Sequence, residues 1–135
     1  LAENEFNNKQ ITVDHKKVAS AVFTSPPIGT IGITEKEAVE KNPGGKIRIY
    51  ESEFNPMKKS FSRKKKKIYV KLIVHDKTDE ILGAHMLGDD APEIIQTLAI
   101  PFKMKMKKMD LDNTTAVHPT TAEEFVLMRN PSRFI

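Results

Sequence analysis

Ile68-Tyr69-Val70-Lys71-Leu72-Ile73-Val74-His75, then Asp76-Lys77-Thr78-Asp79, then Glu80-Ile81-Leu82-Gly83-Ala84-His85-Met86-Leu87 is the stretch on which the fold turns. Ile68, Val70, Leu72 and Val74 alternate with Tyr69, Lys71, Ile73 and His75, the period-two pattern of a strand with one buried face. Residues 76–79 are turn formers, and Glu80 to Leu87 returns as the second arm of a hairpin, punctuated by Gly83 and Gly88. Such a hairpin predicts the middle of an antiparallel sheet.

Upstream, Ile47 to Phe54 alternates in the same way, with Ile47 and Ile49 in phase with Glu51 and Glu53. That phase predicts a strand whose burial changes face part-way, turned by Asn55-Pro56-Met57. Thr34 and Glu37 have capping-box spacing and open a short helix through about Lys41, which Asn42-Pro43-Gly44-Gly45 ends. Val18 to Phe23 is rich in β formers and is stopped by Ser25-Pro26-Pro27, after which Gly29 to Ile33 is a second extended piece. Leu1 to Asn8 reads as the tail of a helix, and Gln10 to Lys16 as a linker.

Downstream, Asp90-Ala91-Pro92-Glu93 is a helix start with Asp90 as N-cap, and the helix is expected to reach about Lys105. Ile94, Ile95, Leu98, Ala99, Phe102 and Met106 form its core stripe, while Ile100 and Met104 put apolar groups on a second face. That face needs a second partner, either a subunit interface or a loop of the same chain. Pro101 removes the bond to the Thr97 carbonyl and should kink the helix. Met109 to Asn113 reads as a helical turn and Thr114 to Val117 as an extended lead-in. A last helix should run to about Arg129 before Asn130-Pro131, with Met128 and Phe134 near the same interface as Ile100. The sum is α+β, a mostly antiparallel sheet with helices packed on one side.

A chain of 135 residues, 39% hydrophobic and 30% charged, is one domain with a real core. It has no apolar run of membrane-spanning length, it starts at Leu1, and it reads as a soluble piece of something longer, with the cytoplasm as the default compartment. With no cysteine, the chain can supply neither a disulfide nor a thiol nucleophile. The net charge of +4 is concentrated in Arg63-Lys64-Lys65-Lys66-Lys67 and in Lys103, Lys105, Lys107 and Lys108. Nucleic-acid binding is the rival reading of those runs. The first lies in a turn, the second in and beyond a helix's last turn where cations suit the dipole, and no aromatic residues interleave to stack bases.

Acid/base chemistry is set up at one place, Ala116-Val117-His118-Pro119-Thr120-Thr121-Ala122-Glu123-Glu124. Thr120 or Thr121 can cap the next helix, and Glu123 or Glu124 three residues on completes a capping box in either register. The same carboxylate can fix the tautomer of His118 and steady its charged form. The other histidines, His15, His75 and His85, have no metal-like spacing. His15 and His75 are expected to be solvated, and His85, among apolar neighbours, to be a satisfied core or interface residue. Neither a G-x-S-x-G elbow nor a glycine-rich nucleotide loop is present.

Four blocks follow one another in register: residues 18–32, Phe54-Asn55-Pro56-Met57, residues 81–96, and the His118-Pro119-Thr120 stretch. Together they resemble the C-terminal dimerisation domain of the FAD-dependent pyridine nucleotide-disulfide reductases, over about Val18 to Pro131. His118-Pro119-Thr120 with Glu123-Glu124 and Met128-Arg129 is most similar to the glutathione reductases, with the trypanothione reductases next. The resemblance implies that residues 1–16 are the end of a flavin-domain helix and a linker, and that 17–135 are the dimerisation domain. It makes Ser25-Pro26 and His118-Pro119 candidates for cis bonds.

It further implies a homodimer in which electrons pass from NADPH through FAD to a cysteine pair that attacks a disulfide. His118 would be the acid/base and Glu123 its orienter, both serving the partner subunit's site. Asn55, Met57, Thr120 and Glu124 would line the pocket for glutathione disulfide or a relative, and His118 and Pro119 would also contact the cofactor. Thiol-disulfide exchange needs a thiolate to attack and a leaving sulfur to be protonated, which suits a histidine. The cysteines, flavin site and nucleotide site would lie in other domains of the full-length chain, with which this one would assemble, so the fragment alone should be inactive. Neither nucleic acid, membrane nor metal is expected as a partner. A non-catalytic interaction module with a structural histidine is the competing class.

Overall fold

Strands β4 (Ile68–His75) and β5 (Ile81–Leu87) pair antiparallel at the centre of the sheet, with one irregularity between Ile73 and Val74. They are flanked by β1 (Ser20–Val22), β2 (Ile28–Gly32), β3 (Ile47–Phe54) and β6 (Arg133–Phe134), in the spatial order β1-β2-β5-β4-β3-β6. Every adjacent pair is antiparallel. The structure, a computed structural model, describes residues 2–12, 14–57 and 67–135, apart from the side chain of Lys16. Of the run Arg63 to Lys67 only Lys67 lies within the described residues, its ammonium paired with Glu53. The turn reading of that run therefore lies outside them.

Two apolar clusters sandwich the sheet. Consecutive residues on a strand point to opposite faces, so Ile49 beside Tyr50, and Ile73 between Leu72 and Val74, all buried, mean that β3 and β4 are covered on both sides. Strand β3 does change face, as its phase predicted. The half-buried reading of β4 holds for Ile68, Val70, Leu72 and Val74 and misses Ile73. The large cluster joins those four and Tyr50 to Ile95, Phe102, Met106, Leu111, Phe125 and Met128. These come from α3 (Ala91–Lys103), α4 (Lys108–Asp112), α5 (Glu124–Leu127) and the residues following α3 and α5. The small cluster, Ala38 with Ile47, Ile49 and Ile73, lies under α2 (Glu35–Lys41). Helices α3 to α5 thus share one side, as expected, and α2 adds a cover on the other.

Helix α2 has the reciprocal capping box expected of Thr34 and Glu37. Helix α3 differs from expectation at both ends. Asp90 has a left-handed backbone (φ 69°) and its side chain makes no capping bond, because a capping side chain needs an extended backbone to reach the next turn's N–H groups. At the far end α3 passes through Pro101 and stops at Lys103 rather than Lys105, whose φ of 61° takes it out of the helix. The Pro101 carbonyl accepts from the N–H groups of Met104 and Met106 at 3.0 Å each. At Gly29 a Cβ would lie 2.6 Å from the Ala91 carbonyl oxygen, so glycine is what lets the start of α3 rest on β2.

The remaining differences are local. Residues 2–6 form α1 (Ala2–Phe6), which buries nothing, and the expected linker ends in a 3-10 turn at His15–Lys17. Residues 114–117 form no strand, with a bend at Thr114. Helix α5 ends at Leu127, two residues before Arg129, because Met128 (ψ 83°) has left helical geometry. Met128 is buried in the core and so is not free for an interface, and Phe134 sits on β6, the sheet edge opposite β1. Among the described residues no helix is long and apolar enough to cross a membrane.

Candidate functional site

His118 follows an irregular segment that leaves α4, and both it and Ser25 precede their prolines through cis bonds. The Glu123 amide donates to Thr120 Oγ1 at 3.2 Å and the Thr120 amide donates to Glu123 Oε1 at 3.2 Å. Of the two registers open in the sequence, the reciprocal bonds join Thr120 and Glu123, but they brace the turn before α5 and do not cap it: the helix starts at Glu124, and its N-cap is Glu123, which makes no side-chain capping bond. The same carboxylate holds the imidazole, with His118 Nδ1 at 3.1 and 3.0 Å from its two oxygens. An ionised carboxylate only accepts, so Nδ1 carries the donated proton and Nε2 is left to exchange one. Burial sharpens the arrangement: the Glu123 side chain is 9% exposed while that of His118 is 67% exposed. The carboxylate is sunk in the fold and the ring stands out from it.

Beside this pair is a cavity of about 370 Å³. Asn55 and Met57, from the turn after β3, and Thr120 and Glu124, from the start of the last helical segment, all line it, as do Pro119 and Glu123. The structure therefore brings together the residues singled out in the sequence, although they come from segments more than sixty positions apart. Asp90 and Ile94 also face the cavity and were not anticipated. Ser52, also unanticipated, donates to Glu124 Oε2 at 3.2 Å and fixes one edge of its carboxylate. Ser52 lies on the same face of β3 as Tyr50, and nothing in the sequence pattern marked it as a partner of Glu124.

The other histidines do other things. His15 is exposed. His75 is half-buried, not solvated, and its Nδ1 accepts from the Thr78 amide at 3.2 Å in the hairpin turn. His85 is a satisfied, partly buried histidine with Nε2 3.1 Å from the Ile33 carbonyl, and burial pushes its imidazole below the ordinary value. No group of three or more His, Cys, Asp or Glu side chains that could hold a metal occurs among the described residues.

The sheet thus carries a carboxylate-anchored histidine beside a cavity, in a chain without cysteine. The chain belongs to the pyridine nucleotide-disulphide oxidoreductase dimerisation-domain family, which it matches over residues 18–129. It is 47% identical over 129 residues to a glutathione reductase of Nostoc sp., 96% of this chain and 28% of that one. It is 44% identical over 133 residues to the chloroplastic/mitochondrial glutathione reductase of Pisum sativum, 98% of this chain and 24% of that one. A trypanothione reductase of Leishmania donovani is 45% identical over 135 residues, 99% of this chain and 27% of that one. The chain spans about a quarter of the length of these relatives.

Proposed function

We propose that this chain is the dimerisation domain of an NADPH-dependent, FAD-containing reductase of glutathione disulfide, and that it supplies an acid/base pair to the active site of its partner in a homodimer. The observation that carries the reading is Glu123, whose one carboxylate anchors both the His118 ring and the Thr120 amide beside the cavity. In this reading residues 1–16, none of whose described side chains is buried, lie on the linker side of the boundary, and 17–135 form the domain.

The chemistry proceeds on a thiol from the rest of the full-length protein. A thiolate attacks one sulfur of the bound disulfide, a new S–S bond forms, and the original S–S bond breaks. The departing thiolate takes a proton from His118 Nε2, while Glu123 stabilises the imidazolium through Nδ1. Asn55, Met57, Thr120 and Glu124 hold the peptide part of the substrate, and Glu124 accepts hydrogen bonds from its amine. Val117, His118 and Pro119 are exposed, Val117 at 74%, and so are open to contact from another domain. The flavin would be held by other domains and only abutted by His118 and Pro119. When bound, it passes reducing equivalents from NADPH to the cysteine pair.

Trypanothione disulfide is the second reading, favoured by the 45% identity to the Leishmania donovani relative. A cytoplasmic location is part of the same proposal, and fractionation of cells making the full-length protein checks it. The decisive experiment is His118→Gln in the full-length enzyme, followed by stopped flow. Disulfide reduction should fall by roughly a hundredfold to ten-thousandfold while flavin reduction by NADPH is unchanged. Equal slowing of both half-reactions, or of neither, would make the histidine structural and favour the interaction-module reading.

A further inference from the structure

Arg129 closes the segment that carries the site. Asp112 and Arg129 are separated by 17 positions, and His118, Pro119, Thr120, Glu123 and Glu124 all lie between them. Arg129 Nη1 donates to the Asp112 backbone carbonyl and also reaches Asp112 Oδ1 at 3.3 Å. One guanidinium thus ties the end of α4 to the residue just beyond α5.

Asp112 is not free to follow Arg129. Its Oδ1 accepts from the ammonium of Lys108, whose side chain is 1% exposed and whose Nζ lies 4.8 Å above the Tyr50 ring. The Tyr50 hydroxyl accepts from Arg48 Nη1 at 3.0 Å. Arg48 is in turn paired with Asp79 and lies 3.2 Å from Asp76, the latter contact an ion pair without hydrogen-bond geometry. An ammonium that deep in the fold needs its carboxylate, so Asp112 is held to the sheet through Lys108. Tying Arg129 to that fixed point shortens the loop's freedom at its far end and limits the excursions of the residues between.

We propose that Arg129, acting through Asp112, is a positioning residue that sets where His118 stands relative to the disulfide. This rests on the acid/base reading of His118. Arg129 is 51% exposed, and an ion pair that open to water contributes little to stability. Its loss should therefore appear in rate and not in melting temperature. Misplacing a reacting group by about 1 Å costs up to roughly a hundredfold in rate, and a loosened loop places it correctly for part of the time, so a drop of about tenfold is expected.

The test uses the full-length enzyme with its flavin and nucleotide domains, comparing Arg129→Met, Arg129→Lys and His118→Gln. Arg129→Met should slow the disulfide half-reaction about tenfold, lower kcat with little change in KM for the disulfide, and leave flavin reduction by NADPH untouched. Arg129→Lys should recover most of the rate, because an ammonium can still donate to the Asp112 carbonyl. A wild-type disulfide rate in Arg129→Met, equal slowing of both half-reactions, or a lysine variant no better than methionine would each overturn the inference. His118→Gln separates the two levels. If it is slow while Arg129→Met is fast, the positioning role alone fails; if it is fast, the acid/base reading fails and takes the positioning role with it.

Discussion

At the scale of residues, Glu123 is one side chain with two duties that a pair of substitutions can separate. Gln retains the acceptor oxygen that the Thr120 amide needs but not the charge that steadies an imidazolium, whereas Ala retains neither. Glu123→Gln should keep the melting temperature of the isolated chain close to wild type while slowing disulfide reduction in the full-length enzyme. Glu123→Ala should lose the activity and, with the bond from the Thr120 amide gone, also about 1 kcal/mol of stability, seen as a lower melting temperature. Equal melting temperatures for the two variants would show that this bond contributes nothing. That a carboxylate of the Glu123-Glu124 doublet could hold His118 was legible in the local spacing, whereas Glu123 in particular came from the family resemblance. Spacing could not choose between Thr120 with Glu123 and Thr121 with Glu124, because both satisfy the same rule. Asp90 misled for a related reason: its residue type suits a cap, and only its left-handed backbone shows that it does not act as one.

At the scale of elements, Glu35 joins three pieces of the fold. From the first turn of α2 it accepts from Lys71 on β4 at 2.8 Å and pairs with both terminal nitrogens of Arg133 on β6 at 2.9 Å. Arg133 also reaches Glu51 on β3 at 3.3 Å. The Arg133 guanidinium, with Lys71 beside it, holds the Glu35 carboxyl down to about 2. Because the folded value lies below the ordinary one of about 4.5, the stabilisation is fully present above about pH 4.5 and is lost as pH falls through about 2. Glu35→Gln should flatten that part of the acid-unfolding curve and lower the melting temperature near neutral pH by a few degrees, corresponding to about 1 kcal/mol once solvent screening is allowed for. An unchanged acid limb would mean that β6 is held by its backbone bonds to β3 alone. The central hairpin could be read from periodicity, since each strand carries its own alternation. Strand β6 could not, because two exposed residues, Arg133 and Phe134, have no period to read and owe their place to Glu35 and to the backbone of β3. The end of α5 escaped notice for the same reason: nothing in residues 124–129 announces that Met128 turns out of the helix into the core.

At the scale of the whole molecule, α3 is covered on one side and bare on another. Its Ile95 and Phe102 are buried against the sheet, while Ile100 is 66% and Met104 78% exposed. Large apolar side chains left open at the end of a helix, in a family named for dimerisation, make this face the expected contact between two copies. The sequence showed the second apolar face but left open whether a loop of the same chain covered it; among the described residues none does. Because a two-fold interface uses the same patch twice, a single substitution introduces two unfavourable groups per dimer. Burying a charge where an apolar anchor stood typically costs about 2 kcal/mol or more, equivalent to roughly thirtyfold in affinity. Ile100→Glu in the full-length protein should therefore weaken the dimer by at least about thirtyfold, and Met104→Glu should act in the same direction, as read by sedimentation at micromolar concentration. Disulfide reduction should fall with the dimer population while flavin reduction by NADPH persists in the monomer, since in the proposed function the first uses His118 from a partner and the second does not. A variant that remained dimeric with both substitutions would place the interface elsewhere, and a monomer that kept full disulfide reductase activity would show that His118 serves its own subunit.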